Sequence, residues 1–326
     1  MTEPAGEFEL IARYFARPGA NAPRVDLAIG DDCALIDGGA SWQWAITTDM
    51  LLEGVHFLAD VDAESLGHKA LAVNLSDLAA CGAQPRCYFL ALALPRPDES
   101  WLASFTRGMF ALADRHGCML AGGDTTRSPS GVAISITALG EVPRGRALLR
   151  SGARAGDDLW VSGTLGDGAL GLAWRRGEAD LSEVEARTVV ERLDRPQPRI
   201  ALGRALVGIA TSAIDVSDGL AGDLGHIMER SGVAAALEWQ RIPRSSALQR
   251  LDTATQLRHV FEGGDDYELL FTAPASMRDT VTDAGGAAGI AVTRIGAVHS
   301  GAGLTVFGAD GRAVDMQARA FDHFRP

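Results

Sequence analysis

The sequence predicts an α/β protein with mixed layers of helices and strands, divided into two domains. Three observations support this prediction: the length of 326 residues, the 47% of residues that are apolar, and strand-type patterns that alternate with helical ones. The length is typical of two domains of about 100–200 residues each. Because almost half of the residues are apolar, each domain can bury a hydrophobic core of its own.

Strands are predicted where apolar and β-branched residues form short runs between turn residues. The run over residues 132–142 alternates, with Val132, Ile134 and Ile136 on one face, whereas the run that ends at Leu94 is continuously apolar, as in a buried strand. In chain order, the predicted strands are Trp42–Thr48, Tyr88–Leu94, Val132–Val142, Asp158–Ser162, Ser212–Val216, Ala234–Trp239, Tyr267–Thr272, Ala291–Val298 and Leu304–Phe307.

Helices are predicted where apolar residues recur every three or four positions. Leu66, Ala70 and Val73 have this spacing, and Gly82 follows them as a stop signal. In chain order, the predicted helices are Ala63–Cys81, a helix capped by Asp98 or Ser100 that ends near Gly117, a helix opened by residues 163–168, and a helix from about Asp218 to Arg230.

The domain boundary is predicted at a junction that runs from Pro143 to Gly156. This junction is basic and rich in glycine, and regular strand and helix patterns lie on either side of it. We therefore assign residues 1–145 to an N-terminal domain and residues 146–326 to a C-terminal α/β domain.

The composition excludes several classes of partner. The formal net charge of −12 would repel nucleic acid and anionic lipid. The longest clean apolar stretch, Cys87–Leu94, is far shorter than the roughly 20 residues of a transmembrane helix. The acidic N-terminus lacks the layout of an export signal, and the four cysteines form no C-x-x-C pair. These features predict a cytoplasmic protein with reduced thiols and no nucleic-acid or membrane partner.

Aspartates beside glycine or hydroxyl residues recur at predicted strand ends and turns. The scaffold holds such positions still, so binding sites are usually built there. Asp98, Asp157 and Asp158 are expected to be ordinary turn or capping residues. The other segments lie at residues 30–32, 47–49, 76–77, 122–126, 215–218 and 263–266.

These aspartates point to magnesium. Buried carboxylates must be paired or bind a metal ion, and the chain has a single lysine, Lys69, to pair with them. Oxygen ligands without His or Cys sets favour Mg²⁺ or Mn²⁺ over zinc, and carboxylate-bound magnesium most often serves phosphate chemistry. A P-loop is excluded, because Ala70 follows the only lysine. The protein-kinase motifs are missing too, so metals and arginine must offset the charge of any bound ATP.

An ordered set of short motifs extends along almost the whole chain, from Gly6-Glu-Phe8 to Phe321-Asp-His-Phe324. The most specific are Thr47-Thr-Asp49, followed by His56-Phe57, and Asp215-Val-Ser-Asp-Gly219. The others cover residues 30–34, 69–80, 122–126, 150–152 and 263–268. Together these motifs resemble the thiamine-monophosphate kinase family, which belongs to the aminoimidazole ribonucleotide synthetase-like superfamily.

The resemblance implies a homodimer in which the N-terminal domains form a β-barrel across the dimer, with ATP bound near the interface. Residues 1–145 would then bind metal and ATP and form the dimer. The implied reaction is phosphorylation of thiamine monophosphate by ATP, with several Mg²⁺ ions. Because the acceptor phosphate is already an anion, direct in-line transfer without a general base is expected. Two alternatives remain: another ATP-using enzyme of the superfamily, or a non-catalytic nucleotide or divalent-cation sensor.

The resemblance also implies roles for individual residues. The residues implied as catalytic are Asp77, Asp124 and Asp218. Those implied as magnesium ligands are Asp32, Thr47, Thr48, Asp49, Asp77, Asp124, Asp215 and Asp218. Those implied to contact ATP are Gly123, Asp124, Arg150 and Ser217. Those implied to contact thiamine phosphate are His56, Asp265 and Phe321. The chain departs from the family pattern at Asp265, where the family commonly has glutamate.

Overall fold

The fold contains two mixed sheets, which we describe from a computed structural model covering residues 6–15 and 23–314. The strands are β1 (Val25–Leu27), β2 (Ala34–Asp37), β3 (Trp42–Leu52), β4 (Gln84–Leu94), β5 (Met119–Arg127), β6 (Ala133–Pro143), β7 (Asp157–Ser162), β8 (Ser212–Val216), β9 (Ala234–Glu238), β10 (Glu268–Pro274), β11 (Val292–His299) and β12 (Leu304–Phe307).

Ten α-helices accompany these strands within the described residues. They are α1 (Glu7–Leu10), α2 (Ala63–Ala80), α3 (Glu99–His116), α4 (Asp167–Arg175), α5 (Glu183–Asp194), α6 (Ile200–Leu206), α7 (Leu220–Ser231), α8 (Ser246–Gln249), α9 (Thr253–Phe261) and α10 (Arg278–Ala288). In the part of the chain that the structure describes, no helix combines the length and the apolar character needed to cross a bilayer.

Every predicted strand is present, and β8 and β12 match the prediction end to end. The four predicted helices are α2, α3, α4 and α7; α7 begins at Leu220 rather than Asp218. Strand β5 was not predicted, because its Gly-Gly-Asp segment is typical of a turn. It is a strand nonetheless, since its backbone pairs in parallel with that of β4. Strands β1 and β2 and helices α5, α6 and α8–α10 were also absent from the prediction.

The first sheet has the strand order β1-β2-β3-β6-β4-β5, and only β4 and β5 run parallel. Strand β3 pairs with β6 along its whole length, from Trp42 opposite Pro143 to Leu52 opposite Ala133. Helices α2 and α3 cover one face. The other face exposes large apolar side chains, such as Met50, which is 56% exposed.

The second sheet has the order β12-β9-β11-β7-β10-β8, with β12 and β9 parallel. Its two faces contribute to two separate cores. One core contains residues of α2, α6 and α10, and the other contains residues of α4, α5, α7 and α9. Strand β6 ends at Pro143 and β7 begins at Asp157, so the proposed boundary at 145/146 lies between the sheets; the division itself stays a prediction.

Helix α2 lies between the two sheets and contacts β3 and β6 of the first and β8 and β10 of the second. It is buried on nearly all sides, which explains its apolar composition. It also packs closely against α3 at two glycines. A Cβ on Gly67 would lie 1.9 Å from the Phe105 carbonyl oxygen, and one on Gly108 would lie 1.8 Å from that of Glu64. Larger residues would force the helices apart.

The expectation for Asp98 is confirmed, because its side chain accepts a hydrogen bond of 3.0 Å from Trp101 N at the start of α3. The expectation for Asp158 is wrong. Asp158 lies buried inside β7 and forms ion pairs with Arg278 and Arg294. A sequence pattern could not reveal these partners, because both arginines are distant in the chain.

Candidate active site

Three carboxylates from separate parts of the chain meet between the two sheets. Asp32 precedes β2, Asp77 lies on α2, and Asp215 lies on β8; one oxygen from each is within 4.8 Å of the others. Asp32 and Asp215 are 7% and 3% exposed. Because α2 lies between the sheets, it brings Asp77 to carboxylates from both. We call this group, together with Asp49 and Asp218, the carboxylate cluster.

Strand β3 supplies Thr47 and Asp49. Thr47 Oγ1 donates a hydrogen bond to Asp77. The Asp49 backbone N donates to Asn74 Oδ1 of α2 at 3.2 Å. Thr47 and Asp49 therefore both contact α2. Their spacing of two along β3 places their side chains on the same face of the sheet.

The loop after β8 supplies Ser217 and Asp218. Their backbone N–H groups donate to Asp223 Oδ2 at 3.1 and 3.2 Å, so Asp223 fixes the loop at the start of α7. On β8 itself, Asp215 Oδ2 accepts a hydrogen bond of 2.6 Å from Ser76 Oγ of α2. The bond from Ser76 holds Asp215 against α2, and the bonds to Asp223 fix the position of Asp218.

Burial and mutual repulsion raise the pKa values of three carboxylates of the cluster, Asp49, Asp77 and Asp215. Burial and the charges of Asp218 and Asp32 raise the pKa of Asp49 to about 6. Burial and the charge of Asp32 raise the pKa of Asp215 to about 8. Burial, followed by the charges of Asp49, Asp215 and Asp32, raises the pKa of Asp77 well above its usual value. The cluster therefore has a high affinity for positive charge.

The cluster fits a divalent cation. Asp32 Oδ2 and Asp49 Oδ2 are buried and accept no hydrogen bond from any residue that the structure describes. Unsatisfied buried carboxylate oxygens are costly unless a cation binds them. The donors are oxygens, which suit Mg²⁺. Asp32, Asp49, Asp77, Asp215 and Asp218 would hold such ions.

Arginine supplies part of the pairing that the sequence analysis expected from metal alone. Arg150 Nη2 and Nε lie 2.6 and 3.0 Å from Asp32 Oδ1, and both side chains are largely buried. The Arg150 backbone N donates to the Asp31 carboxylate at 3.2 Å. Arg150 was predicted to contact ATP; here its guanidinium lies beside the cluster and is bound to one of its members.

A cleft brings together His56 and Asp265, two of the residues predicted to contact thiamine phosphate. It adjoins the loop after β8, because Asp265 N donates to Ser217 O at 2.9 Å. Its apolar walls come from residues 54–61 and from α2, α4 and α5. His56 Nδ1 accepts a hydrogen bond of 3.0 Å from Leu52 N, which places the imidazole proton on Nε2. Lys69 Nζ lies 2.8 Å from Asp265 Oδ1.

Three predicted site residues of the described chain lie away from the cluster. Thr48 alternates with Thr47 along β3, so it points to the opposite face, where it bonds to Thr137. Gly123 and Asp124 lie exposed on β5, the edge strand, two strands beyond β3's neighbour β6. Phe321 lies outside the described residues.

Residues that support the site were missed by sequence reasoning. Asn74 and Ser76 lie within the motif at residues 69–80, but the motif gave neither of them a role, and Asp223 carried no motif. A helical-wheel projection could have placed Asn74 near Asp77, since residues three apart share a face. Nothing in the local pattern could have revealed Asp223 as the acceptor for the Ser217 and Asp218 backbone.

We predict that Mg²⁺ stabilises this protein more at alkaline than at acidic pH. Folding raises the pKa values of Asp49 and Asp215 to about 6 and about 8, so their contribution to stability is present below the unfolded value of 3.8. It is lost as the pH rises through 6 to 8. Mg²⁺ binds the charged form and should reverse that loss.

The measurement is the Tm with EDTA and with about 10 mM MgCl₂, at about pH 5.5 and about pH 8, where ligand in excess of its Kd adds a few kcal/mol. The Tm gain should be several degrees larger at the higher pH. NaCl at matched ionic strength is the control. Equal gains at the two pH values would contradict the account of the cluster.

Known proteins resemble this chain along most of its length. Residues 30–142 match the family model "AIR synthase related protein, N-terminal domain" and residues 154–309 match the corresponding C-terminal domain. The thiamine-monophosphate kinase of Salmonella typhimurium strain LT2 is 46% identical over 321 residues, which is 98% of both chains.

Solved structures give the same result. The chain resembles the crystal structure of thiamine-monophosphate kinase from Stenotrophomonas maltophilia K279a, with 45% identity, a TM-score of 0.79, and coverage of 90% and 93% of the two chains. It also resembles AaThiL complexed with AMPPCP and TMP, with 33% identity, a TM-score of 0.79 and coverage of 90% and 91%. The chain therefore belongs to the thiamine-monophosphate kinase family, within the AIR synthase-related superfamily.

Proposed function

We propose that this protein transfers the γ-phosphate of ATP to thiamine monophosphate, which yields ADP and thiamine diphosphate. The observation that carries the proposal is the carboxylate cluster, with its two unsatisfied buried oxygens, next to the cleft that contains His56 and Asp265. The full-length relationship to thiamine-monophosphate kinases supports the same reaction.

In the proposed reaction, a terminal phosphate oxygen of thiamine monophosphate forms a bond to the γ-phosphorus as the bond to the β–γ bridging oxygen breaks. The attacking oxygen is already negatively charged, so no side chain has to remove a proton. The difficulty is to align two anionic phosphates. Bound Mg²⁺ ions supply charge neutralisation. The chain's own residues hold the carboxylates in place through Ser76, Thr47 and Arg150.

The individual residue roles are part of this proposal. We propose that Asp32, Thr47, Asp49, Asp77, Asp215 and Asp218 hold magnesium from the cluster side, and that Arg150 and Ser217 contact ATP. His56 and Asp265 would bind thiamine phosphate from the cleft. Thr48, Gly123, Asp124 and Phe321 retain the roles predicted from the family pattern.

We also propose a cytoplasmic homodimer. The uncovered face of the first sheet supports dimerisation, because it exposes Met50 and Phe89 at 56% and 43%. Thr48 lies on that face, and Asp124 lies on the edge strand. A partner that closes this sheet into a barrel would bring both near a second chain. Multi-angle light scattering should give twice the chain mass of 34.3 kDa.

The function is tested by incubating the purified protein with ATP and Mg²⁺ and either thiamine monophosphate or free thiamine. Chromatography identifies the thiamine product, and a coupled assay measures ADP. We expect thiamine diphosphate from the monophosphate and no product from thiamine, because thiamine offers a hydroxyl and no anionic oxygen. ATP binding without turnover of either compound would instead support a sister enzyme or a sensor.

A further inference from the structure

The only lysine of the chain has an unusual location. Lys69 lies on α2 and is 4% exposed, and its Nζ is 2.8 Å from Asp265 Oδ1. The other 29 of the 30 Lys and Arg residues are arginines. The family pattern places Asp265 toward the substrate, and Lys69 is the ion-pair partner of Asp265.

Asp265 is held from several directions. Its Oδ1 accepts a second hydrogen bond, of 3.1 Å, from Tyr267 Oη. Its backbone N donates to Ser217 O at 2.9 Å, and its φ of 68° lies in the left-handed region. Among the described residues, Lys69 and Tyr267 both bind Oδ1, which leaves Oδ2 to accept a hydrogen bond from a molecule in the cleft. The Asp265 side chain is 28% exposed, so such a molecule can reach it.

The stability of the fold does not require a positive charge at position 69. The neighbours Leu66, Ala70 and Val73 on α2 are buried and apolar, so an apolar residue would fit the same surroundings. Removing an ammonium from water is costly, and a buried ion pair is often no more stable than apolar residues of similar volume. The charge at Lys69 therefore calls for a functional reason.

We propose that Lys69 is a positioning residue for substrate binding. It fixes the Asp265 carboxylate so that Oδ2 accepts a hydrogen bond from the heterocyclic end of thiamine monophosphate, which carries an amino group and a positive charge. This inference rests on the proposed function. Helix α2 carries both Lys69 and Asp77, which are eight residues and hence about 12 Å apart along the helix axis. One rigid helix thus sets the spacing between the heterocycle end and the phosphate end of the substrate.

The test compares Lys69→Met, Asp265→Asn and the double variant. Met has a similar length without the charge, and Asn keeps the shape of Asp. We expect Lys69→Met to raise the KM and the Kd for thiamine monophosphate about 10- to 100-fold, the usual effect of losing a hydrogen bond between charged groups. The KM for ATP should change less than about threefold, since Lys69 lies away from the carboxylate cluster.

Coupling between the two residues distinguishes positioning from a structural role. If Lys69 acts through Asp265, Lys69→Met should add almost nothing in the Asp265→Asn background. Additive losses, or equal rises of the KM for ATP and for thiamine monophosphate, would overturn the proposal. Binding of thiamine monophosphate is also measured by calorimetry without ATP, which gives a readout that is independent of turnover.

Arg278→Met is the matched control. Arg278 also forms an ion pair with an aspartate, Asp158, but it lies on α10 and does not line the cleft. It should lower the Tm slightly and leave the KM for thiamine monophosphate unchanged. Failure of the function and failure of this inference are distinguishable. In the first case the wild-type protein forms no thiamine diphosphate; in the second it does, and Lys69→Met binds the substrate as well as the wild type.

Discussion

Replacing Asp77 by asparagine should lower the rate of thiamine diphosphate formation by about 100- to 1000-fold, which is the usual cost of losing one key electrostatic group. The same change should raise the Tm of the metal-free protein. Both effects have one cause. Burial, together with the charges of Asp49, Asp215 and Asp32, raises the pKa of Asp77 well above its usual value. Asparagine removes the repulsion, but it also removes a charge that the bound cations need.

The gain in stability should be about 1–2 kcal/mol, which is a few degrees in Tm for chains of this size. Thr47 Oγ1 can still donate to the asparagine carbonyl oxygen, so the local hydrogen bonding survives. Mg²⁺ should then stabilise the variant less than the wild type, since one ligand is neutral. Thermal unfolding with EDTA and with MgCl₂, together with steady-state kinetics, measures all three quantities.

Two variants make this prediction specific. Asp124→Asn should lower the rate by a similar factor without the gain in Tm, because Asp124 is exposed on edge strand β5. Asp283→Asn, on the exposed surface of α10, should change neither quantity. Unaltered turnover by Asp77→Asn would falsify the metal-cluster account, and a lower Tm without metal would show that Asp77 stabilises the fold.

Replacing Arg150 by methionine should destabilise the protein by about 3–5 kcal/mol, the cost of leaving a buried carboxylate without its partner. Arg150 bonds to Asp32 Oδ1 through two nitrogens, and the Asp32 side chain is 1% exposed. Asp32 would keep its acidic neighbours and lose the cation that offsets them. The Tm of the metal-free protein should fall by about 10 °C.

The double variant Arg150→Met/Asp32→Asn shows whether the loss arises from the uncompensated charge. The asparagine at position 32 is neutral and needs no cationic partner, so the double variant should be more stable than Arg150→Met alone. Arg86→Met is the control, because Arg86 and Glu141 form an exposed pair worth less than about 1 kcal/mol. If the double variant is no more stable than the single one, Arg150 contributes through packing instead.

Local patterns predicted much of the scaffold. Nine of the twelve described strands, together with helix α2, were predicted because their periodicity and end signals act over a few residues. Strand β5 was missed since its glycines and polar residues form a strand only through pairing with β4. The polar helices of the second half, such as α5 and α9, also depend on tertiary packing: α5 contacts α4 and α2, and α9 contacts α4 and α7.

The sequence by itself determined which acids are present, that magnesium is a fitting partner for them, and which family the ordered motifs resemble. The tertiary structure decided which of these acids meet. Asp32, Asp77 and Asp215 come together because α2 packs between two sheets, and Lys69 reaches Asp265 for the same reason. Such contacts join residues far apart in the chain, whereas propensity and periodicity report only on neighbours. Burial and repulsion, which set the pKa values of the cluster, therefore exist only in the folded protein.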